Sequence, residues 1–232
     1  MRSKHSLAMT GVDTVLRVSY GPVTGTRDAN VAVTAATAGV SGFVKISIAG
    51  VNVGDHDPVT EWHRAGEETI DRGDIPRTAL RCVELMTTTL WSAETIRSLG
   101  KVFVLSADAP SAPIDPVDVA MVAARCLTDS RPDDTEAPLL TGPEALPSRA
   151  RVQRLGEILG STLECVEVSR EAAFEKMLAA GQPPAIADAR LDMIEVKSRG
   201  SGAAPSNTVE TITARPVRTF DNRAARNLAA FR

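Results

Sequence analysis

The chain has 232 residues, 43% of them hydrophobic and 24% charged, an ordinary globular composition long enough to bury roughly 70% of its unfolded surface. A net charge of −3, no basic stripe and only 3% aromatics argue against nucleic acid as a partner. No stretch approaches the ~20 apolar residues of a membrane span, and Met1 to Ser6 are not followed by the long apolar run of a secretory signal. Cys82, Cys126 and Cys165 are odd in number and form no CxxC pair, which excludes a disulfide framework and a thiolate zinc site on spacing. The expectation is a soluble, reduced, cytoplasmic protein.

In chain order, the first element is the β-branched run Val12 to Ser19, closed by the turn Tyr20-Gly21-Pro22. Helical spacing follows from Arg27 to Gly39, with Gly39 as the residue after the helix. Phe43 to Ala49 forms a second strand. Asp57 as N-cap and Pro58 at the first helical position start a helix to about Arg72. Arg77 to Val83 is a third strand, so the segment carries the rhythm of parallel βαβ units. The spacing then predicts a helix from Glu84 to about Thr95, a strand at Lys101 to Leu105 and a proline-rich loop at Ala109 to Pro113. Asp115, Pro116 and Asp118 cap and charge the start of a helix to about Leu127. A polar loop at Ser130 to Glu136, a strand at Leu139 to Thr141 and a helix from Ser148 to Leu159 come next. A strand at Leu163 to Val168, a helix capped by Ser169 and a helical tail broken at Gly200 and Pro216 complete the pattern. The fold class is α/β, a parallel sheet flanked by helices. Residues 1–105 are its core, and 106–232 form a smaller α+β substrate lobe integrated with it.

Several segments resemble the NmrA-like branch of the atypical short-chain dehydrogenase/reductases. Gly11 to Val15 with the strand behind it is similar to that family's fourth strand, and Phe43 to Ser47 to its fifth. His63 to Glu68 with Ile75 to Arg81 resembles its next helix and strand. Asp115 to Ala120 and Leu140 to Leu146 resemble two segments of its C-terminal lobe. The resemblance implies a truncated Rossmann-like fold. Family members open with a glycine-rich turn that lets the backbone approach a dinucleotide pyrophosphate. The 16 glycines here contain no GxGxxG, and the chain begins just before the fourth strand of the pattern. The expectation is therefore that the nucleotide-binding part is lacking and that no cofactor is used.

His63 and Glu67 are four apart and share a helix face. The resemblance places them where related dehydrogenases carry a Tyr and a Lys, which argues against standard carbonyl reduction. His63 remains a candidate acid or base because its ordinary pKa is near neutrality; the alternative is a pair of solvated helix residues. Ser47 stands at a strand end, where open α/β sheets bind ligands, and matches the family's serine. Tyr20, the only tyrosine, follows the first strand at the equivalent edge, beside Gly21 and Pro22. Glu84 completes the candidate catalytic set. Arg81, Val83 and Met86 lie on the segment that resembles a pocket floor, with Arg81 and Glu84 paired to each other as the structural alternative. Asp55-His56-Asp57 is a loop with an N-cap, since three adjacent side chains rarely converge on a metal.

Three functions are consistent with these residues. The favoured one is cofactor-independent proton transfer on a small organic molecule: cyclisation, isomerisation, dehydration or epimerisation. The excess of Arg over Lys and abundant Ala suggest bacterial specialised metabolism. The alternatives are an NAD(P)H-dependent oxidoreductase whose start is mis-assigned or whose missing part is supplied separately, and a non-catalytic sensor. An uncovered sheet edge at the first strand would also call for a homodimer or another partner.

Overall fold

The computed structural model describes residues 8–72, 75–128, 137–200 and 204–232. Its core elements are β1 (Thr14–Arg17), α1 (Thr24–Ala38), β2 (Gly42–Ile48), the single turn α2 (Gly50–Val53), α3 (Pro58–Asp71) and β3 (Arg77–Cys82). A 3-10 stretch at Met86–Ser92 and α4 (Ala93–Leu99) follow, then β4 (Lys101–Val104), β5 (Pro110–Ser111) and α5 (Pro116–Thr128). The last part holds β6 (Leu139–Leu140), β7 (Leu146–Pro147), α6 (Ser148–Leu159), β8 (Glu164–Glu167), α7 (Arg170–Ala179), α8 (Pro184–Ser198), α9 (Thr208–Thr213) and α10 (Phe220–Arg226).

The main sheet is parallel, in the order β1-β2-β3-β6. Residue 105 does not divide the sheets: β3 pairs with β6, and β4 pairs in parallel with β8. Alternation along β2 decides the layers. Val44, with Leu80 and Cys82 of β3, packs on Val119, Val122 and Cys126 of α5. Phe43 faces the other way, onto Ala32 and Ala35 of α1 and Ile70 of α3. Each such buried large apolar side chain contributes about 1.5–3 kcal/mol. A second apolar cluster joins Met86, Ile96 and Val102 to Leu155 and Phe220.

Local signals set most boundaries. Gly39 ends α1 at φ 82°, a left-handed conformation that favours glycine. Asp57 accepts from the Thr60 backbone N–H at the start of α3, and Ser169 accepts from the Ala172 N–H at the start of α7. Two expectations are corrected. The segment after Glu84 is a 3-10 stretch followed by a separate α4, because Thr87, Thr88 and Thr89 supply poor helix formers. The proline-rich loop contributes β5, antiparallel to β7. The loop expected at Ser130 to Glu136 lies outside the described residues.

The tail is tied back to the core by charge. Asp115 holds Arg226 and Arg223, and Asp118 accepts from the Arg218 backbone N–H and guanidinium. Among the described residues no helix is long and apolar enough to cross a membrane.

Candidate functional site

Parallel strands gather their carboxyl ends on one side of a sheet, and side chains there meet the following helices. Here that side carries two linked polar clusters in an otherwise apolar layer. Lys45 and Ser47 share a face of β2, and Arg17 stands opposite Lys45 in register on β1. Asp28 of α1 reaches this face. Its carboxylate accepts from Lys45 Nζ at 2.6 Å, from Arg17 Nε at 2.7 Å and from Ser19 Oγ at 2.9 Å. Both Asp28 and Lys45 are fully buried. Burial alone would raise the Asp28 carboxyl, but the hydrogen bonds from Lys45 and Arg17 outweigh it and hold the group below its ordinary value. Burial also lowers the Lys45 ammonium, against the attraction of Asp28.

Close helix packing makes room for this cluster. A Cβ at Gly66 of α3 would lie 2.6 Å from Asp28 Oδ2 and 3.1 Å from Lys45 Cε. One residue on, Glu67 forms the second cluster. It accepts from Ser47 Oγ, from Arg81 Nη2 at 2.6 Å and from Arg77 Nη1 at 3.3 Å. Burial pushes Glu67 up, and Arg81 and Ser47 pull it further down, so it stays a carboxylate. Arg81 also donates to Asn52 of α2.

His63 lies one helical turn before Glu67 and is buried, with Nδ1 lacking a hydrogen-bond partner. Burial, then the nearby Lys45 charge, push its pKa down to about 4. This corrects two expectations. His63 and Glu67 are not solvated helix residues, and His63 is a neutral imidazole at neutral pH rather than a group poised to exchange charge there.

The other expected residues separate. Tyr20 stands at the end of β1, 48% exposed, its ring 5.7 Å from Trp62 in an edge-on contact. Burial of its hydroxyl raises the pKa, against the pull of Arg190, so the phenol keeps its proton. Gly21 accepts from Thr24 in the turn into α1, and Pro22 is exposed beside it. Glu84 is held by Arg151 at 2.8 Å and by the Thr88 hydroxyl at 3.0 Å. Burial would raise it, yet Arg151 keeps it a carboxylate. The expected Arg81–Glu84 pair is therefore corrected: Arg81 belongs to Glu67 and Glu84 to Arg151, because Arg81 lies on the face of β3 that meets α3. The Val83 carbonyl accepts from Lys197 Nζ of α8 at 2.8 Å. Met86 is 2% exposed and packs in the apolar cluster with Ile96, Val102 and Phe220. His56 contacts Glu61 at 2.9 Å on the surface, and no group of three potential metal ligands occurs among the described residues.

Asp28, Lys45, Arg190 and Lys197 were not singled out in the sequence. The readable signal was Lys45, a lysine at a central position of the apolar run Phe43 to Ile48. Such a residue demands a buried carboxylate, and the preceding helix offers Asp28.

No model of a known protein family matches the chain. It is 37% identical over 225 residues to the (4-alkanoyl-5-oxo-2,5-dihydrofuran-3-yl)methyl phosphate reductase of Streptomyces griseus, covering 97% of this chain and 79% of the relative. It is 28% identical over 199 residues to the NAD(P)H azoreductase of Xenophilus azovorans, covering 85% of this chain and 68% of the relative. The fold is similar to that of the NADPH-dependent quinone oxidoreductase of Escherichia coli in complex with NADPH. That comparison has a TM-score of 0.84 and 21% identity, and covers 97% of this chain and 79% of the other. These relatives overturn the expectation of a cofactor-independent lyase, isomerase or cyclase, and with it the expectation of no cofactor. They are reductases, and one of them is an NAD(P)H-dependent azoreductase by name.

Proposed function

We propose that the chain, which belongs to the reductase family of the Streptomyces griseus enzyme, is an NAD(P)H-dependent reductase of a small, planar, electron-poor molecule, of the NmrA-like kind that its segments resemble. The observation that carries this reading is the 37% identity along 97% of the chain. When bound, the cofactor supplies a hydride. This reading places the nicotinamide at the strand ends, where Tyr20 is exposed and Ser47 and His63 are buried, His63 with its Nδ1 lacking a hydrogen-bond partner. The sequence holds no GxGxxG.

In this reading residues 1–105 form the cofactor side and 106–232 the substrate lobe. Tyr20 donates a hydrogen bond to the substrate from a phenol that stays protonated. Ser47 is oriented by Glu67, which Arg81 fixes, and neutral His63 closes the layer against water. Glu84, ionised and paired, positions the segment after β3 rather than exchanging a proton. Titration of the purified protein with NADPH and NADH by calorimetry tests the proposal. Micromolar binding of at least one, with Tyr20→Phe lowering turnover of a quinone more than cofactor affinity, is expected. No binding of either at millimolar concentration overturns it.

We also propose that a second copy of the chain covers β1. The strand is an edge of the main sheet, and Leu16 and Val18 on and beside it are 42% and 66% exposed. Open apolar edges invite pairing. Sedimentation velocity should give a dimer, and a monodisperse monomer retires the idea.

A further inference from the structure

The chain holds one tyrosine. Tyr20 stands just past the end of β1, and its ring meets Trp62 of α3 edge-on at 5.7 Å. Trp62 and Met193 of α8 pack on the cluster of Ile48, Val59 and Ala189. Ala189 and Met193 are four apart and share a face of α8. Arg190, next to Ala189 and one turn before Met193, leaves the helix at the border of that face. It is half-buried and held by two contacts. Its guanidinium lies 4.1 Å over the Trp91 ring, and it donates to Gln182 Oε1 at 2.9 Å.

Arg190 is unlike the neighbouring arginines. Arg17, Arg81, Arg151 and Arg170 all have carboxylate partners. Asp188, Asp192 and Glu195 of α8 all turn to Arg170 of α7. The charge that acts on Arg190 is that of the Tyr20 hydroxyl. Two charged groups act on Tyr20 in return: Arg190 pulls its pKa down, and Asp57 adds to the upward push of burial. Asp57 is fixed as the N-cap of α3 by the Thr60 N–H and hydroxyl. A phenol that gives up its proton leaves a negative charge, which burial opposes. Arg190 is the group placed to meet that charge. A guanidinium stays charged at any pH the fold survives, and between half-buried groups its field is screened less than in water.

We propose that Arg190 is a positioning residue that makes Tyr20 a proton donor, so that α8 of the C-terminal lobe completes a site whose other residues come from the sheet and α3. As the substrate takes the cofactor's hydride, negative charge gathers on its acceptor atom. The Tyr20 O–H bond breaks, the proton joins that atom, and the phenolate faces Arg190 until water returns a proton. The inference rests on the reductase reading for the reaction, but not for the pair.

Because Tyr20 is the only tyrosine, the near-ultraviolet absorbance of phenolate against pH titrates it alone, without cofactor or substrate. Arg190→Gln should raise the Tyr20 pKa by about one unit, and Arg190→Lys should restore most of the difference. A role limited to packing on Trp91 would leave the titration where it was. Replacing the tyrosine biosynthetically by fluorotyrosine, a more acidic phenol, brings the same comparison into a milder pH range. Should Arg190→Gln fail to fold, Trp91→Leu combined with Gln182→Ala frees the guanidinium from both contacts and should shift Tyr20 in the same direction. In turnover of a quinone, Arg190→Gln should lower kcat about tenfold with the KM for NADPH nearly unchanged, and Arg190→Lys should recover it. An unmoved Tyr20 titration, a Lys variant no better than the Gln variant, or a shifted titration with unchanged kcat overturns the proposal. Absence of NADPH binding overturns the reductase reading instead, and the titration still decides whether Arg190 tunes Tyr20.

Discussion

Replacing Lys45 by Met is expected to cost about 3–5 kcal/mol of folding stability, the usual consequence of leaving a buried charge without its partner. Lys45 and Asp28 are both fully buried, 2.6 Å apart. Without the ammonium, Asp28 keeps Arg17 and Ser19, but Arg17 is 22% exposed and repays only part of the desolvation. The loss is a large share of the ~5–15 kcal/mol that a domain of this kind holds. The double variant Asp28→Leu, Lys45→Met should cost less than Lys45→Met alone, because it removes both desolvated charges and leaves Arg17 able to turn to water. Urea unfolding of the parent, both single variants and the double variant measures the coupling. A Lys45→Met protein within about 1 kcal/mol of the parent would show that Arg17 and Ser19 suffice.

The second large effect is a loss of stability on mild acidification. His63 has its pKa lowered from 6.5 to about 4. Below 6.5 the unfolded chain takes up a proton that the folded protein refuses until about pH 4. The unfolded state therefore binds more protons across this window, and stability falls as pH drops through it. Between about pH 7.5 and pH 5 the loss from this one side chain is about 2 kcal/mol. Asp28 and Glu67, whose carboxyls are held below their ordinary values, add a further loss at lower pH as they protonate. His63→Gln should remove most of the dependence between pH 7.5 and 5 while leaving the steeper loss at lower pH. Chemical denaturation at a series of pH values reads both limbs, and an unchanged slope in His63→Gln would assign the acid sensitivity elsewhere.

Local order was legible because its causes are local. The αL glycine after α1, the Asp57 and Ser169 caps and the alternation along β2 each act within a few residues. The helix expected after Glu84 failed for a similarly local reason, the threonine run Thr87 to Thr89. Candidate site residues could be named as well: Ser47, Tyr20 and His63 from strand ends and helix spacing, and the family resemblance from the order of its segments. Their state was not visible. Whether His63 exchanges a proton near neutrality depends on its burial and on Lys45, 18 positions away in sequence. Whether Arg81 pairs with Glu84 or Glu67 depends on which face of β3 meets α3.

The sequence by itself determined a parallel α/β core, its caps and turns, and the candidates at the strand ends, because periodicity and capping are short-range physics. Only the tertiary structure decided which charges are desolvated together. It buried Lys45 on Asp28, gave Glu67 to Ser47 and Arg81, and left Arg190 on Trp91 without a carboxylate. The physical reason is that charge pairing is settled by distance and dielectric in three dimensions, and segments far apart in the chain set both.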